Sequence, residues 1–535
     1  MTSSVQADGR HDGRHDGRHD GRHDEPHDGQ IAPGCAPGRP TAAVLGVLAG
    51  GVTLGVGQLV GGALGRAVAP QLVVGAAAID RTPEWLKEFA VRSFGEHDKD
   101  VLLGGVLAVV ALLSAALGLL ARTHRRAAVA GVGLLGGVAA LAAASRPDAL
   151  PVDVLPSILG ALVGALVLAR TVRKRQAVDG VPRRAVLVGG LAGAVGAAVA
   201  EVGGSRLLAA RQDVDASRRS VRLPAPADPA KPLPAGAELS VPGLSPFRTP
   251  VPEFYRVDTA LAVPRLTTDA WRLRVHGSVD RELELTFADL LRRPVVERDI
   301  TLTCVSNEVG GRLLGTSRWL GTPLAPLLRE AGVRPGASQL VSRSVEGMTI
   351  GTPVAAVLDG RDALLVYGMD GEPLRPEHGF PVRMLVPGLY GYTSATKWVV
   401  DLELTTFEAF DAYWVRRGWA QQATIATASR IDTPQPLARL RAGPVAVAGV
   451  AWAQHRGIAG VEVSIDGGPW QQARLGAPAG TDLWRQWVLE WQATSGAHTL
   501  SVRATDGDGT LQDKARRTPF PRGSTGWQTI VVTVV

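Results

Sequence analysis

Residues 40–65 contain no charged residue, and two further apolar stretches, Val101 to Ala121 and Ala127 to Ser145, repeat this pattern. Each stretch is near the ~20 residues that an α-helix needs to cross a bilayer. Val154 to Ala169 and Ala185 to Ala200 are shorter and end at charges, but their small residues permit close helix packing. The sequence therefore predicts an N-terminal all-α transmembrane bundle of about five spans.

Lys and Arg in the short loops indicate the orientation of these spans, since they are enriched on the cytoplasmic side. The basic loops contain Arg39, then Arg122, Arg125 and Arg126, then Arg170, Arg173, Lys174, Arg175, Arg183 and Arg184. The loop from Arg66 to Asp100 carries five Lys or Arg against six Asp or Glu, which fits the outside. An odd number of spans then places the C-terminal half outside a plasma membrane.

The charge distribution argues against a nucleic-acid-binding protein, and the cysteines argue against a fold held together by disulfides. The net charge of +7 comes largely from Arg beside apolar runs, so membrane topology explains it better than nucleic-acid binding. The two cysteines, Cys35 and Cys304, are expected on opposite sides of the membrane, so no disulfide is predicted.

Composition divides the chain into five segments. Residues 1–39 hold a GRHD repeat that collects divalent metal or is only a slippage repeat, and we predict a disordered tail. The bundle spans 40–208, and a Pro- and Ala-rich stretch at 209–250 suits an extended tether. Short strand-like and helix-like runs predict a mixed α+β domain at 251–433. Alternating runs with Asp-Gly turns predict an all-β, immunoglobulin-like sandwich at 434–535.

Three clusters in the α+β domain carry residues suited to chemistry. They are FYRVDTALAVP at 254–264, Cys304 within DITLTCVSNEVGG, and PEHGFPVRMLVPGLYGYTSATKW at 376–398. A lone Cys after a strand is typical of an inert core thiol, although a thiolate also suits a soft or borderline metal. The third cluster suits either an anion site or a solvated turn. Residue types alone leave these alternatives open.

Together, and in this order, the three clusters resemble the molybdopterin domain of the sulfite oxidase family, over about residues 250–535. The resemblance implies molybdopterin as the cofactor and Cys304 as its metal ligand, with Cys304 and Arg256 in the catalytic centre. It implies that the cofactor is bound by Tyr255, Arg256, Ser344, His378, Arg383, Ala395, Thr396 and Lys397. The C-terminal sandwich is similar to the family's dimerisation domain, which implies a homodimer.

Two departures from the family pattern bear on the substrate. Sulfite oxidases have Arg where this chain has Val257, and their active-site Tyr corresponds to Trp419. We therefore expect two-electron oxo transfer on a small oxyanion or on a sulfur or nitrogen oxide, without assigning sulfite itself. The alternative is a membrane-tethered binding or scaffold protein that kept the fold without catalysis.

The expected redox chemistry requires a separate electron-transfer partner. The chain has no Cys set for an iron–sulfur cluster and no His within the five predicted spans. A cytochrome or a quinone-linked protein is the expected partner. Because molybdopterin is inserted in the cytoplasm, Arg183 and Arg184 before the last span are interpreted as an internal twin-arginine export signal, the alternative being a plain positive-inside pair.

Overall fold

The computed structural model describes residues 38–83, 98–146, 149–176, 183–257 and 260–535, together with Leu86, Phe89 and Ser93. The predicted disordered tail up to residue 37, with its GRHD repeat and Cys35, lies outside these described residues. The helices of the N-terminal part are α1 (Arg39–Leu64), α2 (Pro70–Arg81), α3 (Asp98–Leu120), α4 (Arg125–Ala144), α5 (Leu155–Gln176) and α6 (Arg183–Arg211).

Within the described part of the chain, four helical stretches are long and apolar enough to cross a membrane. They are Arg39–Leu64, Asp100–Leu120, Arg125–Ala144 and Pro151–Thr171. These stretches coincide with the first four predicted spans. The fifth, Ala185 to Ala200, lies in the 29-residue α6 and stays a prediction. The side chains of Arg183 and Arg184, on which the predicted export signal rests, lie outside the described residues.

Small residues bring the helices of the bundle into backbone contact. Gly46 of α1 faces Gly118 of α3, and a Cβ added to Gly46 would meet the Gly118 backbone nitrogen at 2.8 Å. Gly62 of α1 approaches the backbone of Gly204 of α6 in the same way. Such close contacts between small residues are a main source of helix association in lipid.

Helix α2 lies in the segment that sequence analysis treats as an outside loop. A proline in its first turn suits a helix start, and its apolar residues pack against α4. Its far end contacts the C-terminal half of the chain, where Asp80 accepts a 2.9 Å hydrogen bond from the Tyr413 hydroxyl. Arg417 also lies 3.4 Å from the Asp80 carboxylate. The bundle and the C-terminal half are therefore in direct contact.

The predicted tether, residues 209–250, is pinned along its length. Its first three residues belong to α6, and α7 (Val214–Ser220) follows, which Asp213 caps by accepting a 2.8 Å hydrogen bond from the Ala216 backbone N–H. The strap, residues 221–250, has little regular structure, yet Ala237 and Phe247 are buried in it. The Trp484 indole N–H donates to the Phe247 carbonyl at 2.9 Å. The Pro- and Ala-rich composition indicates the lack of helix and strand but not this packing.

Two sheets form the α+β domain. One has the strand order β2-β1-β10-β5-β6, and the other has β3-β4-β7-β8 with β9 paired to β7. Their strands are β1 (Arg272–Gly277), β2 (Leu283–Thr286), β3 (Val296–Thr303), β4 (Leu314–Pro323), β5 (Gln339–Ser344), β6 (Thr349–Pro353), β7 (Leu364–Met369), β8 (Glu372–Pro373), β9 (Arg383–Leu385) and β10 (Val399–Thr405). The helices are α8 (Phe287–Leu291), α9 (Leu324–Ala331) and α10 (Val354–Leu358). Trp271, Leu365 and Leu402 lie in the shared core.

Two packed sheets form the C-terminal domain, with the strand orders β11-β13-β17-β16 and β12-β19-β18-β14-β15. The strands are β11 (Ala428–Thr433), β12 (Arg439–Leu440), β13 (Gly443–Trp452), β14 (Ile458–Ile465), β15 (Gln471–Gln472), β16 (Arg474–Leu475), β17 (Arg485–Ala493), β18 (Gly496–Asp506) and β19 (Gln528–Val534). Val447 and Trp487 from one sheet pack with Val502 and Val532 from the other. The specific prediction of an immunoglobulin-like fold stays a prediction.

The boundary between these two domains differs from the predicted one at residue 433. Strand β11 pairs with β13 and so belongs to the sandwich, although its six residues fall on the other side of the predicted boundary. A strand this short, ending just before Pro434, shows too few alternations for its sheet to be assigned from the sequence.

We predict that Gly118→Ile destabilises the bundle by about 1–3 kcal/mol, because the new side chain would overlap the α1 backbone. The matched control is Gly104→Ile on the same helix, where an added Cβ meets no atom within 4 Å. Thermal unfolding of the full chain in detergent measures both. Equal melting temperatures for the two variants would show that α1 and α3 do not pack through Gly46 and Gly118.

Candidate active site

Cys304 lies at the tip of the β3–β4 hairpin. Its backbone N–H donates to the Leu313 carbonyl at 2.9 Å, and its carbonyl accepts a 3.1 Å bond from the Asn307 N–H. The thiol is free and buried. Burial raises the pKa of the Cys304 thiol, while hydrogen bonds from Ser306 lower it. A cation bound at the sulfur would be needed to favour the thiolate strongly in such a place.

The loop after Cys304 is held by the C-terminal sandwich as well as by its own hydrogen bonds. The Asn307 side-chain oxygen accepts a 2.8 Å bond from the Leu313 N–H. Gly310 has a positive φ of 81°, and a Cβ there would meet the Gln528 amide nitrogen of β19 at 2.7 Å. Ser524 donates from its hydroxyl to the Asn307 carbonyl. The sandwich therefore sets the position of the Cys304 loop.

Arg383 is a buried cation without a carboxylate partner among the described residues. Its guanidinium lies over the Trp319 ring at 5.2 Å and donates to the His378 carbonyl at 3.3 Å. Its Nε is buried and has no hydrogen-bond partner there. Burial lowers the pKa of Arg383 to about 10, so the side chain remains charged at neutral pH. Such a charge requires an anion or further acceptors nearby.

A glycine brings the rest of the third cluster around Arg383. Gly379 has a φ of 107°, and a Cβ there would lie 3.1 Å from the Cβ atoms of both Arg383 and Lys397. Lys397 donates to the Glu377 carbonyl at 3.1 Å and lies 4.7 Å from the Trp398 ring. The segment therefore presents two cations close together.

The aromatic pair of the first cluster packs onto the same place. Phe254 stacks on Tyr255 at 5.2 Å and meets the rings of Trp319 and His378 edge-on at 5.6 and 5.9 Å. Burial raises the pKa of the Tyr255 phenol, the Cys304 thiolate raises it further, and the Arg383 charge opposes them. Tyr255 therefore lies close enough to both the predicted metal ligand and the buried cation to feel their charges.

The remaining predicted residues occupy different positions. Arg256 is exposed beside Tyr255. Thr396 is buried, with its hydroxyl 2.5 Å from that of Ser342. The Ala395 N–H donates to the Gly391 carbonyl at 2.9 Å. Ser344 is buried at the end of β5 and accepts a 3.0 Å bond from the Met348 N–H, so its hydroxyl closes its own turn.

Sequence analysis missed a wall of the site that comes from the sandwich. A Cβ on Gly523 would meet the Tyr390 hydroxyl at 2.5 Å, and burial followed by the Cys304 charge raises the pKa of Tyr390. Trp419 packs edge-on against Phe520 at 5.3 Å, and its indole N–H is buried without a partner among the described residues. The loop containing Phe520 lies more than a hundred residues beyond the three clusters. Its sequence shows only small turn residues, which indicate a loop and not a site.

Comparisons with known proteins indicate the kind of domain in which most of these residues lie. A family model described as "Oxidoreductase molybdopterin binding domain" matches residues 260–414. Rat mitochondrial sulfite oxidase is 30% identical over 305 residues, which cover 48% of this chain and 55% of that protein. Inducible NADH nitrate reductase 2 of Glycine max is 29% identical over 324 residues, covering 49% of this chain and 36% of that protein. The chain thus spans about half the length of the sulfite oxidases it matches.

Among solved structures, the chain is similar to the sulfane dehydrogenase SoxCD from Paracoccus pantotrophus. The identity is 27% and the TM-score is 0.47, over 53% of this chain and 80% of that chain.

We predict that His378 makes the fold sensitive to acid. Burial and, next, the charge of Arg383 lower the pKa of His378 from 6.5 to about 4. The unfolded chain takes up a proton near pH 6.5 that the folded chain accepts only near pH 4, so stability falls as the pH falls through this window. The loss is about 3 kcal/mol at most. The difference in melting temperature between the wild type and His378→Gln should therefore change between pH 7 and pH 4.5, and a constant difference would contradict the prediction.

Proposed function

We propose that the chain, whose residues 260–414 match a molybdopterin-binding oxidoreductase domain, is an enzyme of the sulfite oxidase family that catalyses two-electron oxygen-atom transfer on a small oxyanion or on a sulfur or nitrogen oxide. The observation that carries the proposal is the meeting of a free buried thiol and a buried unpaired arginine at one site. Molybdopterin offers a metal for the first and a phosphate for the second.

The residues present fit this cofactor. Arg383 lacks a carboxylate among the described residues, and its Nε points to no acceptor of the protein there. Phosphate oxygens supply the acceptors that an arginine fork requires. Lys397 lies beside it across Gly379, and two cations suit a doubly charged phosphate better than one. The Cys304 sulfur is a soft ligand in a closed, buried place.

Each residue then has a distinct part in holding the cofactor. Arg383 and Lys397 bind its phosphate, and His378 stays neutral at pH 7 because its pKa is near 4. Tyr255 and the exposed Arg256 line the opposite side, while Thr396 and Ala395 contribute the turn next to Lys397. Ser344 supports that turn from β5, since its backbone is paired with Val399. Cys304 ligates the molybdenum.

The protein binds and orients the substrate, and the cofactor when bound supplies the oxygen-atom transfer and the two-electron change. The buried indole N–H of Trp419 is a hydrogen-bond donor without a protein acceptor among the described residues. Burial raises the pKa of Tyr392 and the charge of Tyr390 raises it further, while the nearby charge of Arg522 opposes them. Tyr392 packs against Trp419 at 5.6 Å. A donor and a cation on one wall favour a small substrate that carries oxygen acceptors.

Membrane anchoring and electron transfer complete the proposal. Four stretches suited to crossing a membrane precede the domain, and α6 supplies a fifth span. The basic loops support a position of the domain outside a plasma membrane. Electrons pass singly to or from a separate cytochrome or quinone-linked partner. The C-terminal sandwich is the surface proposed for homodimer formation.

We predict that the purified wild-type chain contains stoichiometric molybdenum by elemental analysis. Arg383→Met should lose the metal and the pterin about tenfold or more, because a charged contact to the phosphate is removed. Cys304→Ala should keep the pterin but lose turnover with an artificial dye and a panel of sulfite, sulfoxides, N-oxides and nitrate. Arg281→Met, an exposed arginine paired with Glu330, is the matched control.

The outcomes separate enzyme from scaffold. Absence of molybdenum from the wild type and the Arg281→Met control, produced in a host that makes the cofactor, would favour a scaffold protein that kept the fold. Full metal content in Arg383→Met would leave the enzyme in place but remove Arg383 from the phosphate site.

We predict that a reporter fused after Ala121 lies in the cytoplasm and one fused after residue 210 lies outside. The first position follows two spans and precedes a basic loop, while the second follows five. Paired reporters that are active only inside or only outside measure this. A cytoplasmic signal at residue 210 would mean that the bundle has four spans and that the catalytic domain is not exported.

A further inference from the structure

Residues 261–268 of the α+β domain run along the end of the helical bundle. A Cβ on Gly75 of α2 would meet the Leu261 side chain at 2.8 Å. The Arg265 guanidinium donates to the Gln212 carbonyl at 3.1 and 2.9 Å, and the Gln212 amide donates to the Gly65 carbonyl at the end of α1. This stretch therefore lies at the level where the helices α1 and α6 leave the bundle.

A cavity of about 640 Å³ begins where this contact ends. Thr268, whose hydroxyl lies 3.0 Å from that of Ser217 in α7, is on its wall. The lining consists of Ser220, Val221, Arg222, Thr268, Asp269, Arg272, Thr286, Phe287, Ala288 and Leu291. The cavity thus borders the surface at which outer headgroups would meet the protein if the bundle spans a bilayer.

Two arginines face this cavity without an ion-pair partner in the described part of the chain. Arg272 donates to the carbonyls of Asp269 and Trp271 at 2.8 and 2.7 Å, and Arg222 is exposed. Their neighbour Arg218 differs, since it binds Glu372 at 2.8 Å and anchors α7 to the domain. The two arginines in the cavity are therefore available to an external anion.

We infer that this cavity binds the phosphate group of an anionic phospholipid. Arginine binds phosphate through paired N–H donors, which the headgroup of such a lipid supplies with acceptors. The inference rests on the membrane anchoring proposed above. It assigns to the cavity a role separate from the molybdopterin site.

The lining favours a phosphodiester with an apolar part over free phosphate. Arg222 and Arg272 against Asp269 give the lining a net charge of +1, which matches the single negative charge of a phosphodiester. Phe287 belongs to the domain core, and Leu291 packs on it. The two side chains supply an apolar wall of the cavity. The glycerol and upper acyl carbons of a lipid can cover this wall, and inorganic phosphate cannot.

The test uses the detergent-purified, delipidated full chain and measures binding of phosphatidylglycerol by native mass spectrometry. Phosphatidylcholine and inorganic phosphate form the other two arms. The double variant Arg222→Gln/Arg272→Gln is compared with Arg281→Gln/Arg334→Gln, which removes the same charge from exposed arginines paired elsewhere on the domain. We expect phosphatidylglycerol to bind the wild type and the control pair about tenfold more tightly than the cavity variant.

Equal affinity of all three proteins for phosphatidylglycerol would overturn the inference, as would equal binding of phosphatidylcholine. Complete competition by millimolar inorganic phosphate would also overturn it, because it would assign the cavity to a free anion. The single variant Arg222→Gln repeats the comparison if the double variant melts earlier than the wild type. Membrane fractionation of the same cells tests anchoring separately, so that failure of the anchoring proposal is distinguished from failure of the lipid site.

Discussion

The charge of Arg383 is the constraint on which the site is built. An unpaired buried cation costs several kcal/mol unless acceptors or an anion compensate it, and here the protein offers the Trp319 ring and one carbonyl. The backbone accommodates this arrangement through Gly379, whose φ of 107° is open to glycine and strained for other residues. Any side chain there would separate Arg383 from Lys397. The proposed cofactor phosphate would compensate this charge and would account for the two neighbouring cations.

The same site depends on the sandwich as much as on the α+β domain. On the Cys304 loop, Gly310 lies too close to Gln528 of the sandwich for a Cβ to fit. In the same way, Gly523 of the sandwich lies too close to Tyr390 for a Cβ to fit. Both contacts require the sandwich to hold a fixed position. The strap supplies part of this rigidity, since Trp484 of the sandwich donates to the Phe247 carbonyl. The C-terminal domain therefore shapes the candidate active site.

Sequence analysis succeeds where a local pattern determines the structure. Uncharged runs predict four of the stretches suited to a membrane, and alternating runs predict the longer strands of the sandwich. Cys304, His378, Arg383 and Lys397 could be proposed from the sequence because each lies in a cluster that is contiguous in the chain, and their roles stay predictions. The sequence pattern did not indicate α2 as a docking element, β11 as a sandwich strand or the packing of the strap. Each of these depends on partners hundreds of residues away or on a strand too short for a period to appear.

The segment 413–419 links helix α2 of the N-terminal bundle to Trp419. At one end Tyr413 donates to Asp80 of α2, and Arg417 lies 3.5 Å over the Tyr413 ring. At the other end Trp419 packs on Trp414 at 6.1 Å. Its buried indole N–H has no hydrogen-bond partner among the described residues. Trp419, the proposed donor to substrate, is thus positioned by a short aromatic segment whose other end contacts α2. If Trp419 has this role, α2 is part of the scaffold that holds it, through direct contacts with the α+β domain.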